Sequence, residues 1–162
     1  MKKTITLLFR ITCLICSITA MSLSTKAADT FSYPIIEVLD NGYYYETIIE
    51  DDEGPAIVAP KATTKYITKT KTTQLKNSAG DVLWSVSIKA TFSYDGTTSK
   101  CTSCTPSATA YASSWSIKRV TSNKSGNSAT ATAIATHTAT SGNTADTTKS
   151  VTITCSPTGV VS

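Results

Sequence analysis

The alternation of apolar and polar positions is strictest between Val82 and Tyr94, where every even-numbered residue is apolar or aromatic and most odd-numbered ones are Ser, Thr or Lys. A period of two residues is typical of an antiparallel strand that buries one face. The pattern therefore predicts a long strand around which the rest of the chain packs. Its buried face is the even-numbered row, Val82, Trp84, Val86, Ile88, Ala90, Phe92 and Tyr94.

Further strands follow from the same alternation and from turns that contain Gly or Asn. Residues 65–76 form the strand before the long one, and Gly80 and Gly96 mark the turns on its two sides. The Thr/Ser/Cys-rich stretch after Gly96, which contains Pro106, is predicted to be a loop. The remaining predicted strands cover residues 111–120, 128–140 and 147–155. Six to seven short strands within about 100 residues predict an all-β, antiparallel, immunoglobulin-like sandwich, with a barrel as the alternative.

The N-terminus has the features of a secretory signal peptide. Lys2 and Lys3 precede an apolar run, and small residues follow up to Ala27. Arg10 interrupts the apolar run, and the stretch after it is shorter than the ~20 residues that span a bilayer. We therefore predict cleavage after Ala27, a secreted, extracellular protein, and no membrane association once residues 1–27 are removed.

Cleavage changes the charge of the protein, because residues 1–27 hold four basic residues and no acid. The remaining chain carries 11 basic and 11 acidic side chains, which argues against nucleic acid as a partner, since binding it needs an excess of clustered cations. The charges are segregated, however. Residues 28–60 hold eight acids and no base, and residues 61–162 hold 11 bases and three acids, so the two segments should attract each other.

Gly54, Pro55 and Pro60 mark the end of the acidic segment. The sequence thus predicts an acidic arm or linker over residues 28–60 and a β-sandwich domain over residues 61–162. Three interpretations compete for the arm: a flexible spacer, a pro-segment removed after export, or a strand that docks along the basic domain. We predict a largely flexible arm with a short ordered piece around residues 43–49, so that its removal leaves the domain folded.

Three cysteines follow the predicted cleavage site, Cys101, Cys104 and Cys155. In an oxidising compartment this number predicts one disulfide and one free thiol. A bridge from Cys101 to Cys155 would close a loop of about 55 residues and contribute roughly 4 kcal/mol, and one from Cys101 to Cys104 would contribute far less. The C-x-x-C spacing also occurs in redox proteins, but there the first sulfur lies at a helix N-terminus. A structural bridge is therefore favoured over a redox site.

Other catalytic or metal-binding groups are sparse. His137 is the only histidine and lies in an Ala/Thr strand, and Asp81, Asp95 and Asp146 lie in or beside turns. The acidic run at residues 51–54 lacks the alternating ligands of a dedicated calcium loop. No zinc-ligand spacing, phosphate-binding loop or dinucleotide fingerprint occurs. We predict no catalytic residue, no metal and no cofactor.

Several short motifs follow one another in a fixed order along the chain, at residues 64–76, 80–84, 91–96, 101–102, 115–117, 124–131 and 154–156. Their order resembles that of a family of small secreted proteins of unknown function from Gram-positive, clostridia-like bacteria. The resemblance covers most of residues 61–162 and implies secretion and a disulfide between Cys101 and Cys155. Cys104 departs from the family pattern and is left as a free thiol. The family has no assigned activity, so the resemblance implies none.

The first functional hypothesis is a secreted, non-enzymatic β-sandwich that binds a cell-wall polymer or another extracellular glycan surface. It rests on the predicted signal peptide, the Thr/Ser-rich strands, the aromatic residues and the lack of catalytic groupings. Residues 159–162 carry no sorting signal, so association with a wall is expected to be non-covalent. One alternative is a secreted enzyme, hydrolytic or thiol-dependent, centred on His137 or Cys104. The other is a secreted effector whose acidic arm masks the basic domain.

Overall fold

A computed structural model describes residues 34–51 and 64–162, so the predicted signal peptide and the rest of the acidic arm lie outside the described residues. The described chain is built of eight β-strands and contains no helix. Accordingly, no helix in these two ranges is long and apolar enough to cross a membrane. The strands are β1 (Ile35–Val38), β2 (Tyr44–Asp51), β3 (Lys65–Lys76), β4 (Val82–Tyr94), β5 (Ser99–Ala110), β6 (Trp115–Ser125), β7 (Ser128–Thr138) and β8 (Thr144–Thr154).

The strands form two antiparallel sheets that pack into a sandwich, which confirms the predicted fold class. Sheet A has the order β1-β2-β3-β4-β5, and sheet B has the order β6-β7-β8. Each strand pairs with the strands that are its neighbours in sequence, so both sheets are successive hairpins. Six of the eight strands, β3 to β8, lie within residues 61–162, in agreement with the six to seven predicted for that domain, and β1 and β2 come from the acidic arm.

The core lies between β4 of sheet A and β7 of sheet B. The long predicted strand has the predicted bounds, and its even-numbered face is buried, although Val82 and Tyr94 at its ends are only half-buried. On β7, alternate alanines are at most 1% exposed and leave room for the large side chains of β4. The most deeply buried side chains of the two strands are Trp84, Val86, Ile88, Ala90 and Phe92 on β4, and Ala129, Ala131, Ala133 and Ala135 on β7.

The prediction of a loop after Gly96 is wrong, because most of that stretch is strand β5. Pro106 suggested a loop, but it lies opposite Ile88 on a strand at the edge of sheet A. Proline has no N–H to donate to the hydrogen bonds between strands, and it is tolerated on an edge strand because one side of that strand has no partner strand. The Thr and Ser residues of β5 alternate with small residues, so the strand is long but buries little apolar surface.

The strand predicted over residues 111–120 begins and ends later than expected. The backbone N–H groups of Tyr111 and Ala112 both donate to the carbonyl of Leu83, and the chain crosses here from sheet A to sheet B. β6 therefore starts at Trp115 and continues to Ser125. Tyr111 is consequently an exposed residue of the crossing rather than a strand residue.

The described part of the acidic arm belongs to sheet A. β2 pairs with β3 along its whole length, from Tyr44 opposite Lys76 to Asp51 opposite Lys69. Tyr45 is 6% exposed and is part of the same hydrophobic core as Trp84. Of the three interpretations of the arm, these residues therefore correspond to a docked strand.

Ion pairs join this acidic strand pair to the basic part of the chain, as the segregated charges predicted. Two of them cross the β2–β3 ladder, Lys69 with Asp51 and Lys76 with Glu46. A third crosses to sheet B, where Lys149 Nζ lies 2.6 Å from Glu37 Oε2. Exposed ion pairs contribute little individually, so the strand ladder and Tyr45 hold this segment more firmly than the charges do.

The C-terminal residues fold back onto the end of β4, and Gly159 makes the closest approach. Its φ is +87°, and a Cβ added there would lie 2.5 Å from two ring carbons of Tyr94. Gly142 has a similar φ of +84° but has no atom within 4 Å of an added Cβ. Alanine variants at the two positions therefore distinguish the cost of backbone strain, which both share, from the cost of steric overlap, which only Gly159 has.

We expect Gly142→Ala to lower the free energy of unfolding by about 1 kcal/mol, which is the cost of a positive φ for a residue with a Cβ. Gly159→Ala should cost at least about 1 kcal/mol more, because the Tyr94 ring must also move. Urea unfolding of the two variants and the parent measures this difference. Equal losses for the two variants would mean that the C-terminal residues do not pack against Tyr94.

Candidate functional site

A continuous polar surface follows the second half of β6, an edge strand of sheet B. Residues 121–126 are all exposed and include three hydroxyls, an amide and a lysine. Two depressions open along this stretch. One lies between β6 and β7, and the other lies where β6 meets β5 of the opposite sheet.

The first depression, which we call the hydroxyl groove, has a volume of about 290 Å³. It is lined by Thr121, Ser122, Asn123, Thr130 and Thr132. Thr121 lies opposite Thr132 and Asn123 lies opposite Thr130, so these side chains share the outer face of sheet B. The alternate residues of β7 are the buried alanines, and this alternation fixes which face the threonines occupy.

The hydroxyls beside this groove are held in fixed orientations by cross-strand pairs. Thr130 Oγ1 lies 2.8 Å from Thr152 Oγ1, and Thr132 Oγ1 lies 2.8 Å from Ser150 Oγ. A hydroxyl has one donor and two acceptor lone pairs, so each pair keeps one donor and three lone pairs for a ligand. Threonine is also stiff about χ1 because it is β-branched. The surface is therefore a preorganised set of donors and acceptors.

The second depression, which we call the lysine pocket, has a volume of about 410 Å³. Its lining residues are Lys100, Cys101, Thr102, Lys124, Ser125 and Gly126. A register shift in the β4–β5 pairing makes Thr102 an extra residue between Cys101 and Ser103. The ammonium group of Lys124 donates to the carbonyl of Thr102, which fixes this charge at the wall of the pocket.

The charges around β6 differ in whether an acid neutralises them. Lys118 Nζ lies 2.6 Å from Asp146 Oδ2, and Thr136 also donates to that carboxylate. The hydrogen bonds from Lys118 and Thr136 lower the pKa of Asp146, so it is ionised at neutral pH and offsets Lys118. Within residues 34–51 and 64–162, neither Lys100 nor Lys124 forms an ion pair. The lysine pocket is therefore cationic.

The three cysteines lie close to this pocket, and all are free thiols in the structure. The extra residue in β5 puts Cys101 and Cys104 on the same face of the strand, towards the core. Cys101 and Cys155 are both buried, and their backbone N–H groups donate to the carbonyls of Gly126 and Asn127, which are consecutive in the β6–β7 turn. The two cysteines that are predicted to form the disulfide are thus both hydrogen-bonded to this one turn.

Burial is the main influence on the two buried thiols. It raises the pKa of Cys101, an effect that Cys104 strengthens and Lys124 partly opposes, and it raises the pKa of Cys155. Both groups are therefore neutral thiols at neutral pH. Neither has the lowered pKa that activates a catalytic cysteine.

The two residues considered for catalysis, His137 and Cys104, lie far apart. His137 pairs with Trp115 at the start of β6, and its ring centroid is 4.9 Å from that of Trp115. Cys104 Sγ lies 3.8 Å from Ser122 Oγ, seven residues further along the same strand. At ~3.3 Å per residue the separation is about 20 Å, so the structure does not bring the thiol and the imidazole together.

The large aromatic residues on which the glycan hypothesis partly rested are not an exposed stacking platform. Trp84 is 1% exposed and stacks on the half-buried Trp115 with ring centroids 6.0 Å apart. Tyr66 and Tyr111 are exposed but lie near opposite ends of sheet A. Contact with a polymer would therefore rely on hydroxyl, amide and ammonium groups more than on aromatic rings.

No cluster of three or more His, Cys, Asp or Glu side chains suited to a metal occurs in the part of the chain that the structure describes. The sequence singled out none of the residues of the hydroxyl groove. The Ala/Thr alternation of β7 predicts a polar face, but the strand register that places Thr121 and Asn123 beside it cannot be read from the sequence.

Comparisons of the chain with family models, with curated proteins and with solved structures found no match. The class of protein is therefore defined by the fold and the surface alone. It is an all-β sandwich of two antiparallel sheets with a hydroxyl-lined groove and an adjacent cationic pocket along one edge strand.

Proposed function

We propose that this chain is a secreted, non-enzymatic protein that binds a hydroxyl-rich polymer of an extracellular surface, such as a cell-wall polymer or another glycan. The observation that supports this most directly is the hydroxyl groove with its paired Thr and Ser side chains on the outer face of sheet B. The predicted signal peptide and the resemblance to small secreted bacterial proteins support the extracellular location.

The chemistry of the groove suits such a ligand. A polyol presents donors and acceptors at short intervals, and the outer face of sheet B offers alternate residues about 7 Å apart along each strand and strands about 4.8 Å apart. Because the cross-strand pairs already fix the hydroxyls, binding would cost little additional side-chain entropy. Hydrogen bonds between neutral groups are also insensitive to salt, which distinguishes this mode from adsorption by charge.

Removing one hydroxyl pair should weaken binding to walls. We expect the purified protein to sediment with isolated cell walls of the producing organism at both about 50 mM and about 300 mM NaCl. Thr130→Val with Thr152→Val removes a pair at the groove but keeps the shape of both side chains, and should lower the affinity about tenfold.

The matched control is Thr68→Val with Thr91→Val, which removes another bonded Thr pair, from the outer face of sheet A. It should sediment like the parent protein. If the parent stays in the supernatant at both salt concentrations, the proposed function fails. Equal loss of binding in the two double variants would show that the hydroxyl groove is not the contact surface.

We also propose that Cys101 and Cys155 form a disulfide after secretion and that Cys104 stays a free thiol. The position of both buried cysteines at the β6–β7 turn supports this pairing. Such a bridge would join β5 of sheet A to the end of β8 in sheet B, directly behind the lysine pocket.

A further inference from the structure

We propose that the lysine pocket binds a phosphate group, and that this phosphate belongs to the polymer that occupies the hydroxyl groove. The second half of this inference rests on the proposed function. The first half concerns the pocket alone and can be tested with inorganic phosphate.

The pocket brings together two cations from different sheets. Lys100 lies on β5 of sheet A and Lys124 on β6 of sheet B, and both line the same space of about 410 Å³. Because the Lys124 ammonium has three donors and donates one to the Thr102 carbonyl, two are left for a ligand. Ser125 adds a hydroxyl to the same wall.

No negative charge of the pocket competes with such an anion. The lining contains no Asp or Glu, and the one ionisable group besides the lysines is the Cys101 thiol. Burial raises the pKa of that thiol, which keeps it protonated at neutral pH. Elsewhere in the fold, in contrast, acids neutralise Lys69, Lys76, Lys118 and Lys149.

Two lysines without an arginine suit an anion whose oxygens point in several directions. An arginine fork recognises a carboxylate or a phosphate through two parallel bonds, and the lining of this pocket contains no arginine. Two lysine ammonium groups act as point charges with rotatable donors and suit the several oxygens of a tetrahedral phosphate. The volume is within the ~300–1,000 Å³ of small-molecule sites, so the groups that a phosphodiester links also fit.

The two depressions are adjacent along one strand, which connects this pocket to the polymer. Residues 121–123 of β6 line the hydroxyl groove, and residues 124–126 line the lysine pocket. A chain of polyol units joined by phosphodiesters could therefore place hydroxyls in the groove and a phosphate between Lys100 and Lys124 at the same time.

The pocket can be tested by titrating the isotope-labelled protein with inorganic phosphate at constant ionic strength while recording backbone amide shifts. We expect saturable shifts confined to residues 100–102 and 124–126, and at least tenfold weaker binding of acetate. Lys100→Gln with Lys124→Gln should weaken phosphate binding at least tenfold. The charge-matched control, Lys89→Gln with Lys118→Gln, alters two exposed lysines outside the pocket and should stay within twofold of the parent.

Shifts that do not saturate, equal binding of acetate, or unchanged phosphate binding by Lys100→Gln with Lys124→Gln would overturn the phosphate site. Sedimentation with walls tests the link to the polymer separately. If the pocket variant loses phosphate but sediments like the parent, the inferred polymer phosphate is wrong and the proposed function stands. If the parent binds phosphate but does not sediment, the proposed function and the polymer link fail together, and only the phosphate site stands.

Discussion

Replacing Tyr45 by alanine is expected to lower the free energy of unfolding by about 3–4 kcal/mol, which is typical of removing a large buried aromatic side chain. The phenol ring packs edge-on against Trp84, with ring centroids 6.4 Å apart and an interplanar angle of 88°. Lys149 Nζ lies 3.9 Å from the centre of the Tyr45 ring, so the same side chain also holds a cation from sheet B. The loss would thus combine a cavity, an aromatic pair and a cation–π contact.

The neighbouring Tyr44 provides the control, since it is half-buried on the opposite face of β2. Tyr44→Ala should cost about 1 kcal/mol or less, because it leaves no enclosed cavity. Urea unfolding at neutral pH, with identical slopes for all three proteins, measures both changes. Should Tyr45→Ala prove as mild as Tyr44→Ala, residues 44–51 would not be docked in solution, and the largely flexible arm predicted from the sequence would be the better description.

The difference between the predicted arm and the observed strands has a physical origin. Acids without a single base are typical of a solvated, extended segment, and this composition led to the prediction of a largely flexible arm. The short ordered piece predicted around residues 43–49 lies mostly in β2, whereas β1 was not predicted. The pattern does not show that Lys69, Lys76 and Lys149 lie where these acids can reach them. Pairing with β3 depends on contacts between residues 18 to 32 positions apart in sequence, which a local pattern cannot reveal.

The predictions were most accurate where one face of a strand is strongly apolar. β3 and β4 have the predicted bounds because alternation and a Gly-containing turn indicate them together. β5 was missed because its inward side chains are small and its register contains an extra residue at Thr102. The same irregularity shapes the lysine pocket, so the pocket could not have been predicted either. Of the site, the sequence indicated only the polar face of β7 and the cluster of cysteines.

Oxidation of the purified protein is expected to join Cys101 to Cys155 and to raise the free energy of unfolding by about 4 kcal/mol, on the chain-entropy estimate for a loop of about 55 residues. Differential alkylation followed by peptide mass spectrometry identifies the bridge, and urea unfolding of the oxidised and reduced forms gives the stability change. Cys104→Ser should behave like the parent, whereas Cys155→Ser should lose the whole increment.

The stability gained from the bridge should also depend on pH in a defined direction. Burial raises the pKa of both Cys101 and Cys155 in the folded, reduced protein above the value near 8.5 expected after unfolding. The folded state then keeps protons that the unfolded state releases, so the stability from these neutral thiols is present below about pH 8.5 and is lost as the pH rises through the raised pKa values. The oxidised protein has no thiols at these positions. The difference in the free energy of unfolding between the oxidised and the reduced protein should therefore increase above that pH. A bridge found between Cys101 and Cys104 instead would contradict the proposed pairing, because that short loop would give little stabilisation and would leave Cys155 free to titrate.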